Sequence, residues 1–323
     1  MKQRAADLDA VCRRMRAERS VALAVHEKPD LDALGAAAGM LDLFAQLGVE
    51  ARLWVAEDEL LPLGDQLLPA DRVRCGAPPA EDSLYALDSG NPERLALPSW
   101  GTVAVNIDHH HDNPRYGGLA LVRGDASSTS ELVCDVARAL ELRPSPAAAA
   151  ALYAGISFDT GHFHHDSTAP STFCTAAWLV ECGAGVTALY TLLYERRSES
   201  SLRLWARAVA GAHRVAGGKG LLAAVTLADY GAAGAGPEET EGIVDSLRSV
   251  DGVEAAALVK EQADGVRTRV SLRSETIDVS AIAALRGGGG HKLAAGFSSD
   301  DAPEEVMAWL SSELESRFST ASS

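Results

Sequence analysis

The chain has 323 residues, of which 47% are hydrophobic and 23% charged, and its formal net charge is −16. Such values suit a globular protein with a real core, arranged as one large or two medium domains. The acidic balance excludes a global basic field for long duplex nucleic acid, and leaves room for a short phosphorylated substrate held by local arginines and metals.

Cys12, Cys75, Cys134, Cys174 and Cys182 are scattered without a Cys-x-x-Cys pair. This argues against a thiolate zinc site or a disulfide framework, and they read as small buried hydrophobes. The N-terminus is charged and helix-like and lacks the apolar stretch of a signal peptide. No run reaches the roughly eighteen apolar residues of a membrane helix. A soluble, cytoplasmic protein without membrane partners is expected.

Along the chain, residues 21–25 form an apolar run read as a buried strand, broken by residues 26–29. A helix is predicted over residues 32–47, with Asp32 as its candidate N-cap and Gly48 as its stop. Further strands are read at residues 49–55, 83–87 and 102–107. Ser128 with Glu131 reads as a capping box opening a helix to residue 142, and residues 147–157 form an alanine-rich helix. Strands alternating with helices predict an α/β fold, a mostly parallel sheet with helices on both faces.

A polar helical stretch, residues 194–214, reads as a connector. A smaller α/β unit follows: strand 221–227, helix 237–250, strand 253–260, a turn at 263–265 and strand 266–272, which together signal a hairpin. A short helix at 279–285 leads to the glycine run 287–290, and residues 302–318 form a C-terminal amphipathic helix. The expected domains are residues 1–193, the linker 194–214 and residues 215–323.

Ligands of open parallel sheets collect beyond the carboxyl ends of the strands. His26, Asp88 and Asp108 each follow a predicted strand, so residues far apart in sequence are expected to converge. His26 and Asp30 can face one ion and Asp32 a second, with Pro29 stiffening the turn; a solvated loop with a capping aspartate is the alternative. Asp88 is either a turn former or a carboxylate bridging two cations. Asp108, His109 and His110 are three consecutive ionisable residues at a strand end, which packing explains poorly. His109 is the expected ligand, Asp108 its orienting partner, and His110 the group facing a substrate phosphate. His111 reads as a bystander. Asp159 can complete the second ion's shell, while His162, His164 and His165 read as loop residues. Carboxylate oxygen with imidazole nitrogen suits a borderline divalent metal such as manganese, with magnesium as the alternative.

In the second domain, Gly288, Gly289 and Gly290 let a phosphate approach the backbone, and His291 and Lys292 add positive charge. Arg273 has the fork geometry for phosphate or carboxylate. A glycine run also suits a flexible linker, but Ala294, Ala295, Gly296 and Phe297 read as tight packing.

These residues together make the chain resemble the DHH phosphoesterase family. His26 through Gly35, Asp88, the triplet Asp108–His109–His110 and Asp159–Thr160–Gly161 match its motifs in order. The segment from Gly288 to Gly296 resembles the signature of the first type of DHH-associated C-terminal domain. Absence of extra modules makes the chain most similar to the oligoribonuclease/pAp phosphatase branch. The resemblance implies two manganese ions, one held by His26, Asp30 and Asp88, the other by Asp32, Asp88, His109 and Asp159. It further implies hydrolysis of short oligoribonucleotides, pAp, or linear and cyclic dinucleotides, with the second domain closing on the substrate. Asp108 and His110 are the implied catalytic residues. The rival readings are a non-catalytic dinucleotide sensor and a phosphohydrolase of polyphosphate or small metabolites. Monomer and homodimer are both compatible with the sequence.

Overall fold

The computed structural model describes residues 2–56, 63–80, 82–97, 101–195, 197–263 and 267–320. They form two compact units, Met1–Leu193 and Tyr194–Ser323. Asp264, Gly265 and Val266 of the predicted hairpin turn lie outside the described residues.

The first unit runs α1 (Lys2–Ala17), β1 (Ser20–Ala24), α2 (Leu31–Gln46), β2 (Glu50–Val55), α3 (Gly64–Leu67), β3 (Val73–Cys75), β4 (Ser83–Leu87), β5 (Val103–Asp108), β6 (Leu119–Val122), α4 (Thr129–Ala139), α5 (Pro146–Asp159), α6 (Pro170–Glu181) and α7 (Val186–Tyr190). Its six strands are all parallel, in the order β3-β2-β1-β4-β5-β6. The period-two alternation of a strand sends Val21 and Leu23 of β1 into the main core with α1, α2, α4 and α5. Ala22 and Ala24 face a smaller cluster with Leu84, Ala86 and Leu95.

Helix α2 is buried almost all round because its neighbour α5 approaches very closely. A Cβ on Gly35 would lie 2.5 Å from the Ala151 carbonyl oxygen, and one on Gly39 would lie 2.7 Å from the Leu152 side chain. The helix starts at Leu31 and is capped by Asp30 rather than by Asp32. Asp30 has extended backbone and accepts the N–H groups of Asp32 and Ala33 at 2.9 and 3.1 Å. Asp32 is thereby left in the first turn, free to point elsewhere. The strand order reverses between β1 and β4, so the loops leaving them diverge and open a crevice at their carboxyl ends.

The second unit runs α8 (Glu199–Ala210), β7 (His213–Val215), β8 (Gly220–Val225), α9 (Leu227–Ala233), α10 (Ile243–Arg248), β9 (Ala255–Glu261), β10 (Thr268–Ser274), α11 (Val279–Ala284), β11 (Gly289–His291), β12 (Ala294–Ser299) and α12 (Pro303–Thr320). The sheet order is β11-β12-β10-β9-β8-β7, with only β8 and β9 parallel. One face packs on α11 and α12; β8 and β9 on the other face pack on α8, α9 and α10. The predicted helix 237–250 is two pieces, a short turn at Pro237–Thr240 and then α10. Gly242, at φ +75°, breaks the run between them. Among the described residues, no single helix is long and apolar enough to cross a membrane.

Candidate metal centre

The carboxyl ends of β1, β4 and β5 bring His26, Asp88 and Asp108–His110 together beside the first turn of α2 and the last turn of α5. The His26 Nδ1 lies 2.8 Å from the Glu27 carbonyl oxygen. A carbonyl only accepts, so Nδ1 carries the proton and Nε2 of the neutral ring is left as a lone pair. That Nε2 lies 3.8 Å from an Asp30 oxygen and 3.7 Å from an Asp88 oxygen. The His109 Nε2 sits 3.6 Å from the other Asp88 oxygen and 3.0 Å from Asp159. Three overlapping groups result: His26, Asp30 and Asp88; Asp88, His109 and His110; Asp32, His109 and Asp159, each with its ligand atoms within 4.8 Å of one another. Asp159 occupies the last turn of α5 rather than the loop beyond it.

Asp88 and Asp32 are held by the start of α4. The Thr129 and Ser130 N–H groups donate to the two oxygens of Asp32 at 2.7 and 2.8 Å, a carboxylate on a helix N-terminus. The Thr129 hydroxyl donates to Asp88 at 2.9 Å. Asp88 itself stands at φ +53°, a left-handed conformation unusual outside glycine, and its N–H still continues the ladder to Ile107. The sequence suggests only a capping box here. Ser128 does cap α4, but the Glu131 carboxylate turns to the Ser127 N–H and hydroxyl and to Thr172. The run of hydroxyl residues Ser127–Ser130 is the one signal in the sequence for these supporting groups.

Asp108 corrects one expectation. It is fully buried and bonds the Nδ1 of His110 at 2.7 Å, not His109. Its second oxygen accepts from the Asn113 amide at 2.6 Å. Consecutive residues leave a strand end in different directions, so the i, i+2 pair shares a side and the i, i+1 pair does not. His110 is the residue Asp108 orients, and His109 takes its direction from Asp88 and Asp159.

The electrostatics fit a cation site. Among the described residues, no lysine or arginine forms an ion pair with Asp30, Asp32, Asp88 or Asp159; their cationic partners are histidines. Burial, then the charges of Asp88 and Asp159, pushes the Asp32 carboxyl well up. Burial and Asp88 raise that of Asp30. Burial also opposes charge on Asp88, but hydrogen bonding by His26 and the nearby His109 outweigh it and pull Asp88 down. For His109, burial disfavours the cation, yet the Asp159 hydrogen bond and the surrounding carboxylates outweigh it, pushing the group up to about 10. The imidazoles thus offset part of the carboxylate charge, and divalent cations bound to such ligands would displace protons from them.

The second unit holds the other candidate residues. Register pairs His291 with Ala294 and Ala294 with Arg273, so His291 and Arg273 share one face of the sheet. The Arg273 Nε donates to Asp245 at 2.9 Å. Gly289 and Gly290 of the glycine run lie in strand β11, so the run is not a tether. A Cβ on Gly288 would strike the Gly296 carbonyl and Phe297, and Gly290 stands at φ +141°. His291 and Lys292 are exposed.

Family models match both units: the DHH family N-terminal domain over residues 20–156 and the DHHA1 domain over residues 221–320. The bifunctional oligoribonuclease and PAP phosphatase NrnA of Thermus thermophilus is 32% identical over 309 residues, covering 92% of this chain and 91% of its own. This chain belongs to the DHH phosphoesterase family. A second DHH relative, from Streptococcus mutans and named a probable bifunctional oligoribonuclease and PAP phosphatase NrnA, is 32% identical over 85% of this chain and 87% of its own. An exopolyphosphatase-related protein from Bacteroides fragilis has the same fold: TM-score 0.87, 21% identity, 98% of each chain covered. DHH phosphoesterases use divalent metals, and the three groups above supply carboxylate and imidazole ligands for them.

Proposed function

We propose that this DHH phosphoesterase hydrolyses short oligoribonucleotides and removes the 3′-phosphate of pAp, using two manganese ions. The observation that supports this reading is the set of three overlapping ligand groups, two sharing Asp88 and two sharing His109, at the switch point of a parallel sheet. His26, Asp30 and Asp88 would hold one ion; Asp32, Asp88, His109 and Asp159 would hold the other. Bound there, divalent cations supply positive charge for the phosphoryl oxygens and activate water. Mixed nitrogen and oxygen ligands favour manganese over magnesium.

The protein's own groups prepare the reaction. Thr129 and Ser130 fix Asp32, and the Glu27 carbonyl fixes the tautomer of His26. Asp108 and Asn113 hold His110 with its Nδ1 turned inward, which leaves Nε2 to meet a phosphate oxygen or pass a proton to the leaving group. In the second unit, Arg273, the N–H groups of Gly288, Gly289 and Gly290, and His291 and Lys292 are proposed to bind the nucleotide. Residues 1–193 then act as the catalytic domain, 194–214 as the connector and 215–323 as the substrate-binding domain.

Turnover of pAp and of 5′-phosphorylated RNA of two to five nucleotides, with manganese, magnesium or chelator, tests the reading. Hydrolysis of both substrate types with manganese and none with chelator is expected. Failure to hydrolyse either substrate with manganese present overturns it.

A further inference from the structure

The sheet of the second unit is covered unevenly. The face packed on α8, α9 and α10 takes its buried apolar residues from β8 and β9, including Leu221, Ala223, Ala256 and Leu258, and none from β10, β11 or β12. On that same face β10 presents Arg269, Ser271 and Arg273, because Thr268, Val270, Leu272 and Ser274 between them are buried. Register sets Arg269 opposite Lys260 of β9 on one side and Ser298 of β12 on the other. Residues directly opposite in an antiparallel pair share a face, so Lys260, Arg269 and Ser298 form one row across three strands. Arg269 and Ser298 are exposed and Lys260 is half-buried.

Lys260 is the telling member. Among the described residues its ammonium meets no carboxylate or carbonyl partner. Burial, and after it the charges of Arg269 and Arg273, hold it below the ordinary lysine value. The ammonium is kept half out of water beside two guanidinium groups, of which Arg273 is paired with Asp245. Anion binding would relieve that cost.

Spacing says which anion. The Lys260–Arg269–Ser298 row lies four residues along β10 from the Arg273–Ala294–His291 row. At about 3.3 Å per residue, the rows are roughly 13 Å apart. One phosphate does not span that distance, whereas a chain of phosphodiesters does.

We propose that Lys260, Arg269 and Ser298 form a second anion subsite, which holds a downstream phosphodiester of an oligoribonucleotide whose terminal nucleotide occupies the Arg273–His291 row. The proposal deepens the reading above and rests on it. It makes this row a determinant of substrate length, because pAp is too short to reach it.

The double variant Lys260→Gln/Arg269→Gln in the full chain is compared with wild type on pAp and on an RNA pentamer. Arg203→Gln, at an exposed position of α8, serves as a charge control. The ratio of kcat/KM for the pentamer to that for pAp is expected to fall about tenfold in the double variant and less than twofold in the control. The salt dependence of pentamer KM should flatten, by roughly 0.7 in log–log slope for each phosphate that the protein no longer neutralises. A ratio within twofold of wild type overturns the subsite, as does an equal fall in the control. Binding of a fluorescently labelled pentamer, read by anisotropy, reports independently of turnover. If wild type hydrolyses nothing but binds the pentamer through this row, the catalytic reading fails and the anion subsite stands. If the double variant binds the pentamer as tightly as wild type, the subsite fails whatever the activity.

Discussion

Asp108 and His110 illustrate how much depends on one hydrogen bond. A buried carboxylate with one oxygen on an imidazole and the other on an amide has no direct access to substrate; it acts through the ring it orients. Asp108→Asn and His110→Ala are each expected to lower kcat by roughly 10²-fold, within the range of lost acid–base groups, while metal affinity measured by calorimetric titration stays within about threefold. The double variant should be no worse than His110→Ala, because residues that act as one unit are non-additive. Losses that multiply, or a collapse of metal affinity in Asp108→Asn, would return Asp108 to the role of partner to His109. Asp159→Asn, by contrast, removes a charge from the group containing His109 and Asp32. It should weaken metal binding at least tenfold with the circular dichroism spectrum unchanged. Much of this constellation was legible in the sequence, since His26, Asp88 and Asp108 each mark the end of an apolar run. The partner of Asp108 was not, because neighbours in sequence diverge in direction at a strand end.

At the scale of elements, the site is built from close helix packing. Helix α2 carries Asp32 and α5 carries Asp159, and they meet through glycines that admit no side chain. A Cβ on Gly155 would strike the Ser130 hydroxyl and lie 2.9 Å from an Asp32 oxygen. Gly155→Ala is therefore expected to destabilise the first unit by about 1–3 kcal/mol, as overpacking does, and to impair metal binding by displacing Asp32. Removing the struck hydroxyl in Gly155→Ala/Ser130→Ala should recover part of that stability in urea denaturation. No recovery would mean that the steric account is wrong. The elements that escaped sequence reading share a physical trait. β3 is three residues long with an exposed or half-exposed pattern, and β6 is four residues with one buried position, so neither shows the alternation that betrays a strand. Helix α6 is capped from Ala169, without a side-chain cap, so its start carried no polar signal. The support that Thr129 and Ser130 give to Asp32 spans almost a hundred positions of sequence and has no local signature.

For the whole molecule, each unit carries its own cores: the main and minor clusters of the first, and the two sheet faces of the second. The three ligand groups lie entirely within Met1–Leu193. A ligand that binds only the native state stabilises what it binds, by about 2.7 kcal/mol at a hundred times its dissociation constant. Manganese at that excess should thus raise the melting temperature of one calorimetric transition and leave another in place. Hydrogen exchange should assign the shift. Protection is expected to rise in the first turn of α2, the start of α4 and the last turn of α5, where backbone amides hold or flank Asp30, Asp32 and Asp159. Amides of β11 and β12 should exchange at unchanged rates until a nucleotide is added. Equal manganese protection across both units would place the cations elsewhere than at Asp88, and the division between a metal unit and a nucleotide unit would have to be abandoned.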